Sequence, residues 1–297
     1  MTTVATLRIG TRGSRMAMAQ AHIAAASLSP VIGSAELVQI STRGDTISAE
    51  HPHGGWVESD GQFTRELEQA LLDGRVDVVV HSFKDLPTAA VDGLVVAAVL
   101  ERADPRDCVV TADGRSLEEL PFCARIGTSS PRRAAQLARA RADLIAMPIR
   151  GNVETRLRRL HDGEYDAVIL AAAGLDRLGI HVPDQSRQPF DLLLPAPAQG
   201  ALALQARSGD HDIRSALESV EHVETRISVE AERSLLRRIG GGCLAPLGAL
   251  GEVSAGMLRL RAAFEDSTGD YRRSEASGPV DAAEDVVAAV AARILAA

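Results

Sequence analysis

The sequence predicts an α/β protein made of two duplicated β-α-β-α-β units and a smaller third α/β domain. Three observations lead there. The phrase Leu7-Arg8-Ile9-Gly10-Thr11 returns as Arg125-Ile126-Gly127-Thr128. Each copy is followed by the same order of apolar helix, glycine-terminated helix and buried strand. From about Val220 the pattern changes and does not repeat.

In order along the chain, Leu7 to Thr11 reads as a short buried strand, and Ser14 to Leu28 as an apolar-rich helix with Ser14 as its N-cap candidate. Ser41 to Gln62 is long, polar and glycine-bearing, either a lid over the strand ends or an ordinary surface insertion. Phe63, Leu67, Ala70 and Leu71 share a helical face, Asp73-Gly74 ends that helix, and Val76 to Val80 reads as a buried strand. In the second copy Ser129, Ser130 and Pro131 open a helix running to about Arg141, since proline is preorganised for a first helical turn. Only Arg150-Gly151 stands where the first copy has its long loop. Leu157, Leu160, Asp162-Gly163 and then Tyr165 to Leu170 repeat the helix, stop and strand. Both units are expected to form parallel sheets covered by helices, with ligands at the carboxyl ends of the strands. Pro195 to Gly200 reads as a crossover and Ala201 to Ala206 as a further strand. A helix through Arg238, a Gly240-Gly241-Gly242-Cys243 loop, strands at Leu247 to Val253 and Met257 to Phe264, and a helix from Asp281 to Leu295 complete the third domain.

Composition narrows the function. The 297 residues carry a formal net charge of -8 and only 3% aromatics, which argues against a general nucleic-acid or anionic-membrane binder. Any anion site must therefore be built locally. Cys108, Cys123 and Cys243 are too few and too irregularly spaced for a zinc pattern or a disulfide framework, so a reducing, cytoplasmic setting is expected. Met1 to Leu7 reaches the first strand too soon for a secretory signal, and no apolar run is long enough to span a bilayer.

Local chemistry concentrates at loop-to-helix junctions. Arg12, Arg15, Arg132, Arg133, Arg150 and Arg156 occupy equivalent places in the two copies, where helix N-termini add free N–H groups. Their forked donors suit carboxylates or phosphates, and the absence of a Walker-type loop disfavours nucleotides. His81-Ser82-Phe83-Lys84-Asp85-Leu86-Pro87 follows a buried strand, so Asp85 falls at the carboxyl edge of its sheet. There it could transfer protons, or it could form an Asx-turn before Pro87. His81 reads as a packed histidine rather than a metal ligand, and His51 and His53 are a weak metal signal; no metal is expected. Glu101 to Asp107 alternates in charge and reads equally as a solvated turn or as an ion-paired interdomain hinge. Cys243 is either displayed by the glycines around it or is a small buried residue after a helix C-cap.

Taken together, HSFKDLPT at 81–88, ERADPRD at 101–107, GTSSPRR at 127–133, IRGNVETRL at 149–157 and the Gly-Gly-Cys loop closely resemble the hydroxymethylbilane synthase (porphobilinogen deaminase) family over nearly the whole length. The resemblance implies two periplasmic-binding-protein-like (type II) domains with a small third α/β domain. Their expected bounds are 1–101 with 199–218, 102–198, and 219–297. It implies a monomeric transferase of tetrapyrrole biosynthesis that joins four porphobilinogen molecules head to tail, losing ammonia from each, and releases linear hydroxymethylbilane. The implied cofactor is dipyrromethane, held by a thioether to Cys243, with Asp85 as the catalytic carboxylate. Arg12, Lys84, Arg132, Arg133, Arg150 and Arg156 would pair with acetate and propionate groups. Ser14, Ser82, Thr128, Ser129 and Ser130 would add neutral donors, and Gly151 and Gln199 would lie in the same cleft. The chain departs from the family in its lid, where Glu58-Ser59-Asp60-Gly61-Gln62-Phe63 replaces the usual Gly-Gly-Lys-Gly-Leu-Phe, so Asp60 stands in place of the lid lysine. Gly240 likewise stands where an acidic residue is frequent.

Two other readings compete at this level. A non-enzymatic anion receptor explains the duplicated arginines but not the glycine-flanked thiol. A cysteine hydrolase would need a base, and no histidine lies near Cys243 in sequence.

Overall fold

A computed structural model describes residues 6–42, 64–240, 242 and 245–296. The chain builds three sheets. The first contains β1 (Leu7–Thr11), β2 (Ala35–Gln39), β3 (Val78–Ser82), β4 (Leu94–Val99) and, from far along the chain, β9 (Leu202–Arg207), in the order β2-β1-β3-β9-β4. The second contains β5 (Asp107–Val110), β6 (Arg125–Gly127), β7 (Ile145–Met147) and β8 (Ala167–Ala171), in the order β5-β8-β6-β7. The third is an antiparallel meander of β10 (Leu247–Ser254), β11 (Met257–Glu265) and β12 (Tyr271–Pro279).

The duplication is visible in the topology. β2-β1-β3 and β7-β6-β8 are equivalent parallel trios, and each is extended by an antiparallel neighbour, β9 beside β3 and β5 beside β8. The chain thus forms two equivalent α/β units and a third, smaller α/β unit. The expectation of purely parallel sheets is corrected: the chain crosses twice between the units, and each crossing segment adds a strand running against its neighbours. The repeated phrase has a physical cause as well. A Cβ on Gly10 would lie 3.1 Å from Val76 and Val79 methyls, and one on Gly127 would lie 3.0 Å from Val168 and 3.1 Å from Tyr165. In both copies the first strand is pressed against residues in or just before the third, and any side chain larger than glycine's would force those neighbours to give.

The strands predicted at Val76 to Val80 and Tyr165 to Leu170 begin later, at Val78 and Ala167. The residues just before them are used differently. Asp77 accepts the Arg8 backbone N–H at 3.0 Å and an Arg8 guanidinium nitrogen at 2.6 Å. Asp166 does the same for the Arg125 N–H at 2.7 Å and its guanidinium at 3.2 Å. This matched bracket ties the entrance of each third strand to the first strand of its unit.

The helices follow local signals. α1 (Arg15–Leu28) is capped by Ser14, whose hydroxyl accepts the Ala17 N–H at 3.2 Å; α2 (Arg65–Leu72) buries Leu67, Ala70 and Leu71. α3 (Pro131–Ala140) begins at Ser130 and Pro131, and α4 (Val153–His161) is capped by Asn152. α5 (Ala172–Arg177) and α6 (His211–Glu218) are two further helices that the sequence reading did not include. α7 (Val223–Ile239) ends at Gly240 in the left-handed region (φ 76°), and α8 (Ala283–Leu295) closes the third unit. Leu235, Leu247, Leu258, Leu260, Val287, Val290 and Ile294 form that unit's dry core between helices and meander.

The run from Glu101 to Asp107 is an ion-paired crossover rather than a solvated turn. Arg102 donates to Glu232 of α7 at 2.6 and 3.1 Å, and Glu232, fully buried, also accepts the backbone N–H groups of Ala198 and Gly251. Arg106 and Arg187 share Asp104. The second crossover lies alongside: Ala103 N–H donates to Gly200 O, and Gly200 (φ 90°) has space only for hydrogen, because a Cβ would fall 2.5 Å from Ala103 O.

Candidate active site

Between the first two units lies a cleft of about 750 Å³. From the first unit its wall takes Arg12, Ser14 and Gln20 at the start of α1, and Ser82, Lys84 and Asp85 beyond β3. From the second it takes Gly151, Asn152, Thr155, Arg156 and Arg158 around the start of α4, with Arg133 and Arg177. Gln199 and Gly200 of the crossover form its floor. The elements deliver these groups by one rule: parallel strands end here, so the helices that follow start here, and their first turns bring side chains and unbonded N–H groups together.

Phe83 to Asp85 form a single 3-10 turn after β3, so the Asx-turn expectation for Asp85 gives way to an exposed carboxylate facing the cleft. Its charge raises the proton affinity of Lys84 and Arg156, while burial works against it. Burial, with Arg132 and Arg133 nearby, leaves the Lys84 pKa below its ordinary value. Burial and Arg133 push Arg156 down to about 10, and burial alone pushes Arg177 to about 10. Desolvated cations packed this closely favour an anionic ligand that would relieve them.

Beneath the cleft, Asp107 is fully buried. Burial alone would raise its pKa, but the guanidiniums of Arg132 and Arg133 outweigh that and hold it well below the usual carboxylate range. Arg132 donates to Asp107 at 2.8 Å and to Leu194 O at 2.6 Å; Arg133 donates to Asp107 at 2.7 Å and to Ile169 O at 2.9 Å. Gln199 donates its amide to Asp107 at 2.9 Å and to Pro105 O at 2.8 Å. Those bonds use the amide nitrogen and leave the amide oxygen over. Gln199 Oε1 and Arg133 Nε are both buried with no partner among the described residues. One is an acceptor suited to a pyrrole N–H and the other a donor suited to a carboxylate, so the donor set fits dipyrromethane or porphobilinogen.

Several expected site residues are placed differently from the expectation. Arg132 is buried, bonded to Asp107 and Leu194 O, and is not among the residues that line the cavity. Ser129 exchanges hydrogen bonds with Ile149, Thr128 Oγ1 accepts the Ser130 N–H at 3.2 Å, and Ser130 Oγ accepts the Arg133 N–H at 3.4 Å. These three shape the loop from within. Arg150 is half-buried just outside the cavity wall, next to Gly151 (φ 100°). His81 is buried and bonded to Gln205 at 2.8 Å. Asp60, Phe63, His51, His53 and Cys243 lie outside the described residues. Sequence reasoning missed Gln20, which donates to Ser82 Oγ at 2.6 Å, and Arg177, which donates to Gly200 O at 2.6 Å. The available signal for Arg177 was its position: it follows β8, the counterpart of β3, as Lys84 and Asp85 follow β3.

No helix among the described residues is long and apolar enough to cross a membrane. Among those residues no cluster of three or more histidine, cysteine or carboxylate side chains could hold a metal ion.

Residues 7–215 match the family described as "Porphobilinogen deaminase, dipyromethane cofactor binding domain", and residues 226–296 match "Porphobilinogen deaminase, C-terminal domain". The chain is 45% identical over 290 residues to the porphobilinogen deaminase of Desulforudis audaxviator, covering 97% of this chain and 93% of that one. It is 48% identical over 295 residues to the porphobilinogen deaminase of Acidothermus cellulolyticus, covering 96% and 88%. To porphobilinogen deaminase 1 of Streptomyces coelicolor it is 48% identical over 254 residues, covering 84% and 79%. Among solved structures, the methionine binding protein MetQ gives a TM-score of 0.40 at 14% identity, covering 80% of this chain and 96% of that one.

Proposed function

This chain belongs to the porphobilinogen deaminase family, and on that premise we propose that Asp85 handles the protons of its reaction while Cys243 is the point at which dipyrromethane is held. The protein is a transferase, a hydroxymethylbilane synthase that condenses porphobilinogen stepwise on a dipyrromethane primer. The observation that carries the residue assignment is the cleft, with one exposed carboxylate among Arg12, Lys84, Arg133, Arg156 and Arg177.

Each porphobilinogen brings an acetate and a propionate, so a lengthening chain needs cations spread along a wall. Arg12 and Lys84 on one side and Arg133, Arg156 and Arg177 on the other supply that spread. Asp85 accepts the pyrrole N–H and assists proton transfer as ammonia leaves the aminomethyl carbon, and its fixed negative charge stabilises the cation that results. Dipyrromethane, when bound, supplies the pyrrole carbon that forms the new bond. Gln199 Oε1, its amide oriented by Asp107, accepts a second pyrrole N–H.

The same reading assigns residues 1–101 with 199–218, 102–198 and 219–297 to three domains, and it makes the protein a cytoplasmic monomer that takes porphobilinogen as its small-molecule partner. Intact-protein mass spectrometry tests it: purified protein is expected to carry two pyrrole units that Cys243→Ser lacks. A fully active wild type with no added mass overturns it.

A further inference from the structure

The turn that carries Lys84 and Asp85 has little of its own to hold it. It is three residues of 3-10 helix, a geometry with poor hydrogen bonds, and its one closing bond, from the Leu86 N–H to Phe83 O, is 3.4 Å long. The Phe83 N–H donates to Ala201 O at 3.1 Å, which fixes the entrance of the turn but not its far end.

The far end is held from another part of the fold. Arg233, on α7 of the third unit, is buried, and its guanidinium donates to Phe83 O at 3.1 Å, to Leu86 O at 2.7 Å and to Pro87 O at 2.7 Å. The same group lies 4.4 Å from the centre of the Phe83 ring. Three carbonyls within five residues of chain thus converge on one planar fork, and a ring packs against its face. Lysine, with a single compact ammonium, cannot reproduce this arrangement. Burying a guanidinium is costly, and an apolar side chain could close this seam at lower cost. What the guanidinium adds is direction, because it fixes the backbone on both sides of Asp85.

We propose that Arg233 is a positioning residue for the reaction, acting from the third unit through the Phe83–Pro87 backbone to fix where the Asp85 carboxylate sits in the cleft. This rests on the reading of Asp85 as the proton-handling group. Because Arg233 is not among the described residues that line the cleft, its loss acts on the chemical step more than on substrate binding.

The experiment compares Arg233→Met, Arg233→Lys and Asp85→Asn with wild type. It measures kcat and KM for porphobilinogen per cofactor-bearing molecule, with loading counted by intact mass and folding followed by far-UV circular dichroism and thermal melting. Arg233→Met is expected to lose about 10- to 100-fold in kcat with KM within about threefold, the cost of a displacement of order 1 Å at a reacting group. Arg233→Lys is expected to lose less, since it keeps the charge and part of the carbonyl bonding. A lowered melting temperature with kcat per loaded molecule unchanged would make Arg233 purely structural and overturn the proposal. A rise in KM at constant kcat would also overturn it, as would a folded variant that carries no cofactor, or failure of both Arg233 variants to fold. If Asp85→Asn turns over normally, the Asp85 reading fails whatever the Arg233 variants do.

Discussion

Asp85 is the group to which the proposed function gives the proton chemistry, and its setting says how it should respond to change. It stands exposed in a cleft whose other charged lining groups, among the described residues, are cations, so Asp85→Asn keeps its shape and removes its negative charge. That variant is expected to fold and to lose about 10²- to 10⁴-fold in kcat, measured by porphobilinogen consumption. His81, four residues earlier, shows the opposite design. Burial, opposed by its bond to Gln205 and reinforced by Arg233, lowers its pKa to about 4, so it is neutral in the folded protein at neutral pH. An unfolded histidine protonates near pH 6.5. Between those values the unfolded state binds the extra proton, so stability is present in full above about pH 6.5 and is lost as pH falls toward 4, by about 3 kcal/mol. Urea denaturation followed from pH 7 to 4 is expected to show this fall, and His81→Gln is expected to flatten it. The sequence displayed the cations, but not which way each pointed. Arg132 and Arg133 are neighbours at one helix start, yet only Arg133 reaches the cleft wall, because Leu194 O and Asp107 hold the Arg132 guanidinium below it.

At the scale of elements, the duplicated strand entrances carry the argument. Gly10 and Gly127 stand where the first strand of each copy is pressed hardest by its neighbours, and the Arg8–Asp77 and Arg125–Asp166 brackets fix the register of the third strand that follows. Gly127→Ala places a methyl 3.0 Å from a Val168 methyl and 3.2 Å from the Ile149 Cδ1, so those buried side chains must give by a few tenths of an ångström. The expected loss is about 1–3 kcal/mol of unfolding free energy by urea titration, the usual range for overpacking. Most of this level was legible in advance: helix starts at Ser14 and Ser130, stops at Gly74 and Gly163, and the repeated glycine phrase all announce themselves locally. β12 escaped because no apolar alternation marks it. The segment Tyr271–Pro279 is rich in arginine, serine and glutamate, and it is a strand because β11 offers it a hydrogen-bonding edge.

At the scale of the whole molecule, the two crossovers and α7 form the joint. Glu232 is fully buried and receives Arg102 from one crossover, the Ala198 N–H from the other and the Gly251 N–H from the third sheet. Glu232→Ala would leave Arg102 desolvated without its counter-charge and two N–H groups without their acceptor, at a cost of about 3–5 kcal/mol, measurable as a lowered urea midpoint. The sequence by itself determined the duplicated α/β units, the third unit, the family and the candidate Asp85 and Cys243, because these are written in local periodicity, glycine placement and contiguous motifs. Only the tertiary structure decided that the sheets are mixed, that Glu101 to Asp107 is ion-paired across units, that Arg177 and Gln20 join the cleft while Arg132 lies under it, and that Arg233 grips the turn carrying Asp85. Those facts depend on groups brought together from distant parts of the chain, and their partners are set by packing and desolvation rather than by neighbours in sequence.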